Sequence, residues 1–415
     1  MPIQKSELAI FGGKAAKTVP YTKGVRFGPA EEEAAVAAIR SQKLWMKQGG
    51  TRVPAVEKTI CELWGVPHAM VCSSGTAAVH AAVILCGVEA GDEVILPPVT
   101  DWGTICGILA VGAVPVFADI HPDTFSLDPA CVAKAVTRRT RAIVQVHLGG
   151  YPAHVKEIVA LAKERRVKVI EDCAQSPLAL LDGRPVGTFG DVGAFSTNDS
   201  KHISCGEGGF VIVQDAELAR VGRLFIDKAY ERDKVRGQTD VTFLGFNYRM
   251  SELSAAVLDV QLRGLEEQIR RRTAYAERLM AGLEGVEGLR VLKPMAGARG
   301  AYWFVLSCLE PSRVSADRAT IGAALAAEGV AVWAALSPAS TLYGTTALRE
   351  KRLYPWGRTA PAGFLRHHEY GPGLCPVAEE VAANVLSFLV NPFYTPQDAD
   401  ETAAGIRKVL DYYRK

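Results

Sequence analysis

The sequence predicts an α/β protein: a mostly parallel central sheet with helices on both faces, followed by a smaller C-terminal α+β domain. Two patterns carry this. From about residue 67 to 215, short apolar runs rich in Val and Ile alternate with stretches of helical period. Beyond Met250 the alternation stops, and a long amphipathic stretch leads into a mixture of strand-like and helical runs.

The strand-like runs are Ala69–Cys72, Glu93–Leu96, Val114–Ala118, Ala142–Val146, Val167–Glu171 and Phe210–Val213. Their near-continuous apolar character is that of parallel strands buried on both faces. Helical patterns at Thr76–Cys86, Trp102–Val111, Pro129–Val136 and Val155–Glu164 lie between them, where βαβ crossovers belong. Ligands of such sheets sit outside the carboxyl ends of the strands. Glu252–Leu283 reads as one or two long helices rich in Glu and Arg, placed to join two domains. After it, Leu289–Leu292, Trp303–Cys308 and Val330–Trp333 read as strands, and Asp317–Glu328 and Asp398–Tyr413 as helices. The division is a large domain with an N-terminal arm over 1–262 and a small domain over 263–415. Ser337–Pro376, rich in Gly, Pro and aromatics, reads as irregular loops near a site.

At 415 residues the chain is long enough for two or three domains and a large core. With 48% hydrophobic and 22% charged residues it is not a disordered chain. A net charge of +2 does not favour a nucleic-acid partner. The one dense basic run, Arg270-Arg271-Arg272, lies among glutamates and reads as a solvated helix face. The nine cysteines are scattered, none forms a CxxC pair, and Cys86 and Cys106 sit in apolar surroundings. That is the usage of a reducing compartment, without a disulfide framework or zinc spacing. The N-terminus lacks the apolar core of a signal peptide, and the weakly polar run Gly103–Ala118 is too short for a membrane span and contains Pro115. A soluble, cytoplasmic protein without bound metal is expected.

Four segments carry chemistry. Ser73-Ser74-Gly75-Thr76 follows a strand and opens an apolar helix, a place where unpaired N–H groups and the helix dipole favour a phosphate; a plain N-cap is the alternative. Val169-Ile170-Glu171-Asp172 ends a buried strand in two carboxylates, facing either a ligand or solvent. Phe195-Ser196-Thr197-Asn198-Asp199-Ser200-Lys201 places a lysine after small polar residues and before the glycine-rich Cys205–Gly209; a buried lysine can form a Schiff base with a carbonyl. Gly245-Phe246-Asn247-Tyr248-Arg249-Met250-Ser251-Glu252 is a turn into a helix capped by Ser251.

Taken in order, SSGTAAVHAAV, GDEVILPP, VHLGG, VIEDCAQS, FSTNDSK, GEGGFVI and GFNYRMSE resemble the DegT-type sugar and cyclitol aminotransferases, fold type I enzymes that use pyridoxal 5′-phosphate (PLP). The resemblance runs from about Lys43 to Asn391. It implies that Lys201 carries PLP as a Schiff base and that Asp172 pairs with the pyridine nitrogen. Gln175 would contact the phenolic oxygen, and Gly75, Thr76 and Ser196 would hold the phosphate. Asn247 would reach the cofactor of a second chain in a homodimer with shared sites. Many relatives place an aromatic ring where Asp101 stands here, so either Trp102, one residue on, stacks on the cofactor or another group covers the ring face and Trp102 is a helix residue packed against the sheet; Asp101 is a candidate for touching a substrate hydroxyl or amine. One of the segments Tyr302-Trp303 and His367-His368-Glu369-Tyr370 is a further candidate for bordering the substrate, with a core or hinge role the alternative for each. The implied reaction moves an amino group from glutamate or glutamine to a keto sugar, free or nucleotide-linked, or a ketocyclitol. Two alternatives are a PLP-dependent sugar dehydratase or deoxygenase, in which histidine usually replaces the lysine, and a non-catalytic PLP-binding regulator, for which no extra DNA-binding segment is visible.

Overall fold

Strands β1 (His68–Cys72), β2 (Glu93–Leu96), β3 (Val114–Phe117), β4 (Thr140–Val146), β5 (Lys168–Asp172), β6 (Val192–Ser196) and β7 (Gly209–Val213) form one sheet, in a computed structural model that describes residues 3–231, 240–333, 341–353, 355, 365 and 368–415. Their order is β1-β7-β6-β5-β4-β2-β3. Six strands are parallel, and β7 runs antiparallel between β1 and β6. The two-residue period shows in the packing: Val94 and Leu96 enter one apolar cluster while Ile95 enters another. Both sheet faces are therefore buried, as the continuous apolar runs require.

One central strand escapes the apolar-run criterion. Val192-Gly193-Ala194-Phe195-Ser196 has weak strand propensity, yet it pairs with β5 on one side and β7 on the other. Pairing on both edges overrides propensity here.

Helices α1 (Gly75–Leu85) and α2 (Gly103–Ala110) follow the first two strands. The long amphipathic stretch is two helices, α3 (Glu252–Arg263) and α4 (Leu265–Gly282), hinged at Gly264. A second, antiparallel sheet follows: β8 (Leu289–Val291), β9 (Phe304–Leu309), β10 (Val332–Trp333) and β11 (Val385–Leu389), in the order β8-β9-β11-β10. Strand β11 is not legible in the sequence, because a five-residue apolar run does not by itself separate strand from helix. The basic run needs correcting. Arg270 and Arg271 are exposed and pair with Glu267, but Arg272 turns inward and is only 6% exposed. Three consecutive helical residues span about 200° of the helix circumference, so they cannot share one solvated face.

The N-terminal arm is tied to the C-terminal helices α5 (Arg318–Ala327) and α6 (Pro396–Tyr413). The N–H groups of Ala9 and Ala16 each reach a Glu328 carboxylate oxygen at 2.8 Å. Lys17 Nζ, almost fully buried, lies 2.6 Å from Asp398 and 3.0 Å from Glu401. Burial alone would raise the Asp398 carboxyl, but bonds from Lys17 and Thr395 outweigh it and bring it down to about 2. A depressed carboxyl stabilises the fold above its unfolded value of about 4, and that stabilisation is lost as pH falls through the folded value. Asp398→Asn should therefore lower the melting temperature at pH 7 by at least about 2–4 °C. The gap between variant and wild type should narrow between pH 4 and 2; a gap that stays constant over that range would show that the charge is not what holds the arm.

Candidate active site

Strand β5 ends in the two carboxylates, and the strand's alternation sends them to different places. Glu171 is fully buried. Its oxygens accept from the N–H groups of Gly187, Phe189 and Gly190 at 2.6–2.7 Å and from His147 Nε2 at 3.0 Å. His147 Nδ1 accepts from Ala153 N–H, so Nε2 carries the proton it gives to Glu171. Glu171, His147 and Cys173 lie within metal-ligand reach of one another. Both histidine nitrogens are already engaged, however, and burial pushes the Cys173 thiol far up, so the cluster is a structural network.

Asp172 faces the other way. Its Oδ2 accepts from Thr104 at 2.7 Å and its Oδ1 from Ala174 N–H at 3.1 Å. Thr104 must donate to the carboxylate, so Thr100, 2.9 Å away, must donate to Thr104. Burial raises the Asp172 carboxyl, and these bonds and the nearby Lys201 oppose the rise. Lys201 is pulled down from the usual lysine value by burial, which Asp101 and Asp172 counter in part. Each group thus feels the other's charge.

Lys201 sits in the loop between β6 and β7. Its N–H reaches Asn198 O at 2.9 Å, and Thr197 N–H reaches Gly208 O at 2.9 Å, which closes the loop. Arg26 from the arm donates to the carbonyls of Asp199 and Lys201. The Lys201 ammonium lies 3.9 Å from the centre of the Trp303 ring, and Trp303 Nε1 donates to Ser200 O at 3.0 Å. A ring face attracts a nearby cation, and more so when water is excluded.

The second sheet reaches this lysine through a glycine pair. Ala301 N–H bonds Gly150 O and Trp303 N–H bonds Gly149 O, each at 2.8 Å. A side chain at Gly150 (φ +92°) would stand 2.5 Å from Tyr302 N, so the close approach requires glycine. Gln175 Oε1 accepts from Gly149 N–H at 2.6 Å, which fixes the amide so that its NH₂ group is left as a donor. A small cavity of about 40 Å³ lies between the sheets, with Asp101, Gln175, Trp303, Phe304, Trp333 and Ser387 in its walls.

At the mouth of β1, Ser74 caps α1 by accepting from Ala77 N–H at 3.0 Å, which leaves the N–H groups of Gly75 and Thr76 without an intrahelical acceptor. A Cβ at Gly75 would lie 2.6 Å from Ser196 Cβ and 2.9 Å from its Oγ, so α1 and the end of β6 meet there in a narrow cradle. The Thr76 hydroxyl borders Gly103 at the start of α2. A helix N-terminus with two hydroxyls beside it is the chemistry that suits an anion.

Of the residues singled out in the sequence, Gly75 and Ser196 meet in this cradle with Thr76 beside them; Asp172 and Lys201 lie close enough for each to feel the other's charge, and Gln175 lies in the wall of the small cavity. Trp102 is the N-cap of α2, half-buried against the main core, while Asp101 lies in the cavity wall. Asn247 is solvent-exposed. Tyr302 is buried edge-on against Tyr151. His368 lies among the described residues, Tyr370 donates to Pro115 O, and His367 lies outside the described residues. Sequence reading did not find Thr104, Arg26 or the structural role of Glu171. The one signal was the four-residue spacing that places Thr104 about one helical turn after Thr100.

The model of the DegT/DnrJ/EryC1/StrS aminotransferase family matches residues 28–407. The chain is 37% identical over 360 residues to the L-glutamine:2-deoxy-scyllo-inosose aminotransferase of Streptomyces kanamyceticus, a match that covers 83% of this chain and 84% of that protein. It is 34% identical over 370 residues to the UDP-N-acetyl-3-dehydro-alpha-D-glucosamine 3-aminotransferase of Acidithiobacillus ferrooxidans, covering 87% and 89%. Its fold matches the crystal structure of 3-amino-5-hydroxybenzoic acid synthase with a TM-score of 0.82 at 26% identity, over 95% of this chain and 99% of that one.

The cradle makes a direct prediction. Gly75→Ala pushes a methyl group against Ser196 and should weaken PLP binding by about tenfold or more, equivalent to about 1.4 kcal/mol. Titrating the apoprotein with PLP measures this; unchanged affinity in a folded variant would remove the cradle from cofactor binding.

Proposed function

Because the chain belongs to the DegT/DnrJ/EryC1/StrS aminotransferase family and is a PLP-dependent transaminase, we propose that it moves an amino group from glutamine or glutamate to the ketone of a cyclitol or sugar. The observation that carries the reading is the buried Asp172 within electrostatic reach of Lys201, together with the Gly75–Ser196 cradle at the start of α1. Bound PLP supplies the carbonyl that takes up the amino group and the ring that accepts an electron pair.

The residues fit that group. Asp172, held by Thr104 and Ala174, is a buried negative charge that favours a protonated ring nitrogen next to it. The free NH₂ group of Gln175 suits a phenolate oxygen. The N–H groups of Gly75 and Thr76, with the Ser196 hydroxyl, suit the phosphate. Lys201, with its amine pulled down toward neutrality, holds the cofactor and, once displaced, carries a proton at Nζ between substrate carbon and cofactor, help worth roughly 10²–10⁴-fold. The Trp303 ring face keeps that amine over the site and water away from it. Asp101, Gln175 and Ser387 give a polyhydroxylated ring polar partners, and Trp303, Phe304 and Trp333 give it apolar walls. The named relatives act on a free cyclitol and on a nucleotide sugar, and both acceptor classes fit this reading.

Asn247 serves the cofactor of a second chain in this proposal. It is exposed, and Leu244 (75% exposed) and Phe246 flank it as surface apolar groups that a partner would cover.

Three measurements test these assignments. The purified protein should show a visible cofactor band that glutamine or glutamate converts; Lys201→Ala should lose both the band and borohydride fixation of the cofactor to the chain. Asp172→Asn should keep much of its PLP and lose about 10²-fold or more in turnover; near-normal turnover would refute its ring-nitrogen role. Lys201→Ala and Asn247→Ala, each inactive alone, should recover roughly a quarter of wild-type activity when mixed under exchange, since half the dimers then hold one intact site. No recovery despite confirmed hybrid dimers would place Asn247 in its own chain's site.

A further inference from the structure

A second cavity, of about 360 Å³, lies between the N-terminal arm, the junction of α3 and α4, and Asn391–Phe393. Lys201 is not in its walls, but the next residue, His202, is. Three side chains in those walls are almost fully buried, His202 at 1%, Gln261 at 3% and Arg272 at 6% exposure. Each has one buried polar atom without a partner: His202 Nδ1, Gln261 Oε1 and Arg272 Nε.

Their bonding fixes what each atom needs. His202 Nε2 lies 3.2 Å from the Ala301 carbonyl, which only accepts, so Nε2 carries the proton and Nδ1 is an acceptor. Gln261 Nε2 donates to Arg26 O and to Glu31 Oε1, so its Oε1 is also an acceptor. Arg272 Nη1 donates to Val390 O at 2.6 Å and more weakly to Tyr302 O, while Nε is an unused cationic donor. No carboxylate among the described residues pairs with Arg272, because Glu267 is taken by Arg270 and Arg271. A buried guanidinium met only by carbonyls lacks a counter-charge, and water at the same place could bond it but not neutralise it.

We propose that this cavity binds a small oxyanion that keeps an O–H group, of the hydrogen phosphate class, with its oxygens accepting from Arg272 Nε and its O–H donating to His202 Nδ1 or Gln261 Oε1. The anion meets both demands, which neither a cation nor an ion that only accepts can do. Arg26, another wall residue, holds the Lys201 carbonyl, so occupancy is linked to the loop that carries the lysine.

The test is calorimetric titration of the cofactor-loaded protein with inorganic phosphate, against chloride at matched ionic strength. Loading fills the separate cradle at Gly75, so phosphate should show one saturable site per chain. Arg272→Gln should weaken it roughly ten- to hundredfold, as loss of a hydrogen bond to a charged group does. No saturable uptake, or equal affinity in Arg272→Gln, overturns the proposal. If that variant does not fold, a wild-type crystal soaked in phosphate decides: an oxyanion against Arg272 and Gln261 upholds the site, and ordered water alone at saturating phosphate overturns it.

Discussion

The Glu171 carboxylate is the anchor of the site. Three backbone N–H groups and His147 converge on it in the buried interior. Bonds to an ionised acceptor are the strong ones, and an unpaired charge there would be very costly, so the end of β5 has one stable placement. Asp172, one residue on, must then point to the opposite face of the sheet, where Thr104 holds it. The network also fixes the turn from Gly187 to Gly190 that leads into β6, and β6 ends at Ser196 in the cradle. One buried carboxylate thus orients two separate parts of the proposed cofactor site.

The second dependence is the contact between the sheets. Gly149 and Gly150 let the chain after β4 pair with Ala301 and Trp303, and this carries an aromatic ring from the edge of the second sheet to Lys201. Gln175 is held by the same Gly149 N–H. The groups assigned to the ring's oxygen, to the lysine and to the substrate walls therefore share one hydrogen-bonded seam. The arm closes it from the other side, where Arg26 takes the carbonyls of the lysine loop and Lys17 pins the arm to α6.

Charge is distributed so that each buried ionic group has a use or a partner. Asp172 and Lys201 lie within electrostatic reach of each other: burial pushes the carboxyl up and the amine down, and the charge of each opposes the shift of the other. Lys17 and Asp398 pair within hydrogen-bond distance. Arg272 alone among these has only carbonyls opposite it, which is why the cavity around it invites an anion.

Much of this was legible in the chain itself. Apolar runs located five of the six parallel strands of the main sheet, because both-face burial demands such runs, and their ends agree within two residues. The order of local motifs singled out Lys201, Asp172 and Gly75 as candidates, since each lies at a strand end, a helix start or a loop that local sequence encodes. What local sequence could not decide was which neighbours meet. Strands β6 and β11 exist because of pairing on both sides, and Arg272 is buried because α4 packs against Tyr302 and Val390. The different fates of Glu171 and Asp172, the ring of Trp303 over Lys201 and the hold of Arg26 on the lysine loop join residues far apart in the chain. Such contacts are set by burial and hydrogen bonding in the assembled fold, and no window of sequence contains both partners.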